Sequence, residues 1–60
     1  MKTNLICVYV NTNSQRLRFI ATDSIETARG TEQSLKALFE AGWFSKDVKS
    51  ITTEIENVEI

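Results

Sequence analysis

The sequence predicts a small α+β domain with element order ββαβ, in which a three-stranded, mainly antiparallel sheet carries one helix on one face. Three observations lead there. Leu5–Val10 (LICVYV) is a β-branched and aromatic run, apolar on both alternating faces, as in a central strand. Ile25, Ala28, Leu35, Leu38, Phe39 and Gly42 fall within an arc of about 140° on a helical wheel, which makes a single apolar stripe. Ile51, Thr53 and Ile55 alternate with Thr52, Glu54 and Glu56, the period of a strand.

After the first strand, Asn11–Gln15 is polar and rich in turn formers. Arg16–Thr22 then alternates, with Leu17, Phe19 and Ala21 on one face and Arg16, Arg18 and Ile20 on the other. Strand, turn and strand form a hairpin with a loop of about five residues. The helix is expected over Ser24–Ala41. Asp23 or Ser24 can cap its start, and Asp23 with Glu26 approximates a capping box. Glu32, Lys36 and Glu40 follow at i, i+4 spacing, worth about 0.2–0.5 kcal/mol per pair. Gly30 costs about 1 kcal/mol inside a helix relative to Ala, and Thr31 offers a fresh N-cap, so a break there is the alternative. Continuity is favoured because the stripe stays in phase across Gly30.

Gly42 sits where a left-handed residue closes a helix, and Trp43 supplies the hydrophobic contact that accompanies such a cap. Ser45–Asp47 leads into a last strand, Val48–Ile60. Its phase flips, since Val58 and Ile60 have the opposite parity to Ile51 and Ile55. A bulge near Glu56-Asn57, or a tail that leaves the sheet, accounts for the flip. With strand 1 doubly apolar and therefore central, the expected sheet order is 2-1-3; an order of 1-2-3 with a right-handed parallel crossover is the alternative.

Residues 1–60 make one domain. At this size folding buries only about 60% of the unfolded surface, and small domains gain stability from disulfides, metals or oligomerisation. A lone Cys7 and no histidine supply neither of the first two, which leaves association. Apolar residues at 42% and charged residues at 25% place the chain among globular rather than disordered sequences. A net charge of −1 with mixed signs gives no electrostatic footprint for nucleic acid or anionic membrane, and the segment from Ile51 onward is acidic. Leu5–Val10 is too short for a signal segment or a membrane span, so a cytoplasmic protein is expected, in keeping with an unpaired thiol.

Cys7 lies mid-strand among apolar residues, with no histidine to activate it, and reads as structural. Asp23, Glu26, Glu32, Asp47, Glu54 and Glu56 are explained by capping and solubility rather than acid–base work. Tyr9 reads as sheet packing, with a ligand contact through its hydroxyl as the alternative. The two glycines are too far apart for a phosphate loop. No enzyme, cofactor or metal is expected.

Binding remains. One helix covers one face of the sheet, yet strand 1 offers Leu5, Cys7 and Tyr9 on one face and Ile6, Val8 and Val10 on the other. The uncovered face is expected to meet a partner, and the residues assigned to it are Ile6, Val8, Val10, Ile20, Val58 and Ile60, together with Arg16, Arg18, Trp43 and Phe44. The expected function is a non-enzymatic protein-binding module, docking on a larger protein or forming a homodimer, that acts as a regulator or inhibitor. Very small domains of this character are often encoded by phages or other mobile elements to block host machinery, including defence systems. The alternative is a nucleic-acid-binding regulator using Arg16, Arg18, Lys46 and Lys49, the lysines flanking Trp43 and Phe44 as a base-stacking site.

Overall fold

Strand β1 (Lys2–Thr12) runs through the middle of the sheet in a computed structural model that describes residues Met1–Glu59. It pairs antiparallel with β2 (Arg16–Thr22) on one side and with β3 (Val48–Glu59) on the other, giving the order β2-β1-β3. Helix α1 (Ile25–Glu40) lies across one face. The Cα trace measures 40 × 25 × 11 Å, a two-layer plate whose long dimension is that of the twelve-residue strand β3.

The core is the contact between α1 and one face of the sheet. Val8, Ala28, Leu35 and Ile51 are buried there, with Ile6, Val10, Ile20, Phe39, Phe44 and Val48 packed around them. Strand β1 therefore turns Ile6, Val8 and Val10 toward the helix, and these residues, expected on the uncovered face, form the core instead. Ile20 joins them because β2 carries a bulge. Val8 pairs with Ile20 but Tyr9 pairs with Arg18, so Phe19 is the extra residue. Simple alternation puts Ile20 beside Arg16 and Arg18; the inserted residue carries Ile20 to the helix side and sets Ala21 opposite Cys7 on the open face.

Strand β3 holds a regular register with β1 from Lys2↔Glu59 to Asn11↔Ser50, so there is no bulge at Glu56-Asn57. The sheet follows the register rather than the apolar pattern, and Val58 falls opposite Thr3 on the open face. The irregularity lies at the other end, where Thr12 pairs with Val48. Ile60 lies outside the described residues.

The hairpin loop shortens to Asn13–Gln15. The Thr12 hydroxyl closes it by accepting the amides of Ser14 and Gln15 at 3.4 and 3.1 Å. Helix α1 is continuous through Gly30. Its N-cap is Ser24, whose hydroxyl oxygen accepts the Thr27 amide at 3.3 Å, so the cap is one residue later than an Asp23–Glu26 box would have it. The C-terminus is a Schellman motif: Trp43 N–H donates to Leu38 C=O at 3.0 Å, Gly42 N–H donates to Phe39 C=O at 3.1 Å, and Gly42 has φ +80°.

Candidate protein interface

The face of the sheet opposite the helix carries Leu5, Cys7 and Tyr9 from β1, Arg16 and Arg18 from β2, and Thr52, Glu54 and Glu56 from β3. It is not left apolar. The Tyr9 phenol donates to the Glu56 carboxylate, and the Cys7 thiol donates to the same group at 3.8 Å. The Arg16 guanidinium stacks 4.1 Å from the Tyr9 ring centroid and pairs with Glu54. Arg16 and Arg18 each approach a Glu56 oxygen at 3.9 Å. Farther along, Asn11 donates to Ser50 and Thr52 at 3.2 and 2.9 Å.

Cys7 and Tyr9 are consequently 0% and 5% exposed, although no second helix covers them. Exposed ion pairs contribute only about 0–1 kcal/mol each, and a cation–π contact about 0.5–1 kcal/mol. The larger effect is that the long side chains lie over the apolar surface and exclude water from it. The hydrogen bond to Glu56, reinforced by loss of solvent, pushes the Tyr9 phenol up to about 12. Glu56 is held below the usual carboxylate range by that same bond, then by the Cys7 thiol and by Arg18 and Arg16. Both sides of the middle of β1 are thus sealed within one subunit, and the expected greasy second face is absent.

The uncovered apolar surface lies elsewhere, along the flank where α1 meets the outer strand β2. A cleft of about 510 Å³ opens there, lined by Phe19, Thr27, Gly30, Thr31, Ser34, Leu35 and Leu38. In its lining Phe19 is 57% exposed and Leu38 41%, and Leu17, on the helix side of β2 opposite Val10, is 46% exposed. Ile25, 48% exposed, lies at the other margin of the helical stripe, on the side where Glu32 bonds Thr53 of β3. Gly30 is part of its lining, and no atom comes within 4 Å of where a Cβ on it would stand. Trp43, 77% exposed, follows the helix with its amide bonded to Leu38, at the Leu38 end of the same flank.

Of the residues assigned to a partner, the structure therefore leaves Trp43 fully available. Phe44 is half-buried against the core, and Val58 is half-buried on the open face. Arg16 and Arg18 share the open face, as their parity predicts, but their charge is met by Glu54 and Glu56. Lys46 and Lys49 are exposed on the α1–β3 connection and at the start of β3, with Asp47 between them. The four cations do not make an unopposed basic surface.

Leu17, Phe19, Ile25 and Leu38 are missing from the sequence-based assignment. The available signal was the width of the helical stripe: a helix lying on a narrow sheet buries the middle of such an arc, here Ala28 and Leu35, and exposes its margins. The bulge that aligns Phe19 with this margin left no mark in the alternation of β2.

Among the described residues, no helix is long and apolar enough to cross a membrane, and no group of three or more His, Cys, Asp and Glu side chains is placed to hold a metal ion. Comparison with known proteins gives no match to a family model, a curated protein or a solved structure.

Proposed function

We propose that the chain is a non-enzymatic protein-binding module, a regulator or inhibitor that docks through the α1–β2 flank. The observation that carries this reading is the exposure of Phe19 and Leu38, 57% and 41%, in the lining of one cleft, with Leu17 exposed on the helix side of β2 and Trp43 at the Leu38 end. Exposed apolar residues scattered singly need no explanation, but a contiguous group rimmed by polar side chains is the usual mark of an interaction site. Large, stiff aromatics such as Phe19 and Trp43 are the residue types that dominate binding energy when a partner desolvates them. A small domain that presents one such flank fits an agent that blocks a larger machine, as phage and mobile-element proteins do to their hosts.

The test is comparative capture from the native host, followed by mass spectrometry. A partner retained by the natural chain should be lost with Phe19→Asp and with Trp43→Ala, and kept with Thr52→Lys on the opposite side. Circular dichroism confirms that each variant is folded. A partner captured equally by all of them rules out docking through this flank.

A further inference from the structure

The other outer strand, β3, has a property that the docking flank does not explain. It is the longest strand, twelve residues, and among the described residues nothing pairs with its outer edge. Natural sheets protect such an edge with bulges, prolines or charges. Edge strand β2 has one of these devices, the bulge at Phe19. Strand β3 has neither proline nor bulge from Ser50 to Glu59. Its glutamates do not guard the edge either: Glu54 and Glu56 reach inward across β1 to Arg16, Arg18 and Tyr9. Ile55 meanwhile stands 69% exposed on the helix side of the sheet, opposite Ile6.

We infer that two copies of this chain pair antiparallel along β3, centred on Thr53, to form a continuous six-stranded sheet with both helices on one face. A two-fold axis normal to the sheet keeps each side chain on its own face, so the candidate registers are those in which a residue faces its own copy. Centring on Thr53 sets Ile51 opposite Ile55 of the other copy, twice, which covers the exposed Ile55. On the open face it sets Thr52 opposite Glu54 and Ser50 opposite Glu56, so both glutamates of that face meet a hydroxyl. The neighbouring registers are worse. Centring on Glu54 puts that carboxylate against itself, and centring on Ile55 puts Glu54 against Glu56 twice. Centring on Thr52 leaves Ile51 opposite Thr53 and Ile55 opposite Lys49. Like charges directly opposite destabilise a strand pair, whereas matched apolar pairs stabilise it.

This association uses the edge opposite the α1–β2 flank and is independent of any partner bound there. The test is light scattering or sedimentation equilibrium of the full chain over a concentration range, with two substitutions at the exposed Thr52. Thr52→Glu places a carboxylate opposite Glu54 at two symmetric positions and should weaken the dimer about tenfold. Thr52→Lys places an ammonium there and should hold or tighten it. A third variant, Ile55→Ser, should also weaken the dimer while leaving the monomer's circular dichroism unchanged. A natural chain that stays monomeric up to millimolar concentration overturns the inference, as does an equal response to Thr52→Glu and Thr52→Lys.

Discussion

The Tyr9 phenol and the Glu56 carboxylate meet above Cys7. In the β1–β3 register Tyr9 lies opposite Thr52 and Glu56 lies opposite Leu5, so the two side chains lean toward each other along the sheet and close over the cysteine that stands between them. This accounts for a thiol that is fully buried on the face without a helix. Cys7 should therefore react with thiol reagents only through opening of the domain, and Tyr9→Ala should admit the reagent to the native state. Tyr9→Phe, which keeps the ring but not the bond, should fall between them. Labelling rates followed by mass spectrometry, with native-like circular dichroism as the control, distinguish this lid from simple burial in the sheet.

The same pair sets an alkaline limit. The folded-state pKa of Tyr9 is raised to about 12, above the unfolded value of 10.0. Its contribution to stability is then fully present below pH 10 and is lost as pH rises through about 12. Phenolate absorbance should show the phenol ionising well above the free-tyrosine range. Glu56→Gln removes the carboxylate charge and should bring the titration down toward that range.

On the acid side the sign reverses. Glu32 accepts a hydrogen bond from the Thr53 hydroxyl, which ties α1 to β3, and pairs with Lys36 at 3.2 Å. Its pKa is lowered by Thr53 first and by Lys36 after it, and that of Glu56 is lowered as well. Both contributions are present above the unfolded value of 4.5 and are lost as pH falls through the depressed folded values. Acid unfolding monitored by circular dichroism should thus begin below pH 4.5. Thr53→Val should flatten the Glu32 part of that transition.

The two glycines should respond in opposite directions to alanine. Gly30 is mid-helix, and a Cβ there meets nothing within 4 Å, so Gly30→Ala should stabilise the domain by about 1 kcal/mol. For a domain this small that corresponds to a rise in Tm of roughly 4–8 °C. Gly42 has φ +80°, and Gly42→Ala should cost about 1–2 kcal/mol. Thermal melts of the two variants are sufficient to check both signs.

The fold was legible where one strong local signal had no competitor. The doubly apolar run Leu5–Val10 placed β1 in the centre and gave the strand order, and Gly42 marked the end of the helix. The site was not legible, for three reasons. Parity cannot reveal a bulge, and the single extra residue Phe19 moved Ile20 into the core. The apolar content of β1 does not state how its neighbours cover it, and Arg16, Arg18, Glu54 and Glu56, assigned to solvent or a partner, cover the open face from outside. Last, the phase flip at Val58 suggested a break in pairing, but the ladder with β1 runs straight through it, because backbone pairing along a long strand outweighs the facing of one valine.

Leu35 and Leu38 belong to one helical stripe, yet the structure gives them different tasks. Leu35 is 4% exposed in the core beside Val8, Ala28 and Ile51, whereas Leu38 is 41% exposed at the margin of the cleft. Leu35→Ala removes buried methylenes and leaves a cavity, at a cost of about 2–5 kcal/mol. A chain of sixty residues has a total stability of only about 3–9 kcal/mol at typical values per residue, so this variant should be largely unfolded or close to it at 37 °C. Leu38→Ala loses mostly solvent-exposed surface and should stay within about 1 kcal/mol of the natural chain in urea unfolding. If the α1–β2 flank is the docking surface, the same Leu38→Ala should weaken partner capture, since burial by the partner is what gives that side chain its energetic weight. Loss of stability without loss of binding in Leu38→Ala would assign the residue to the core and remove it from the interface.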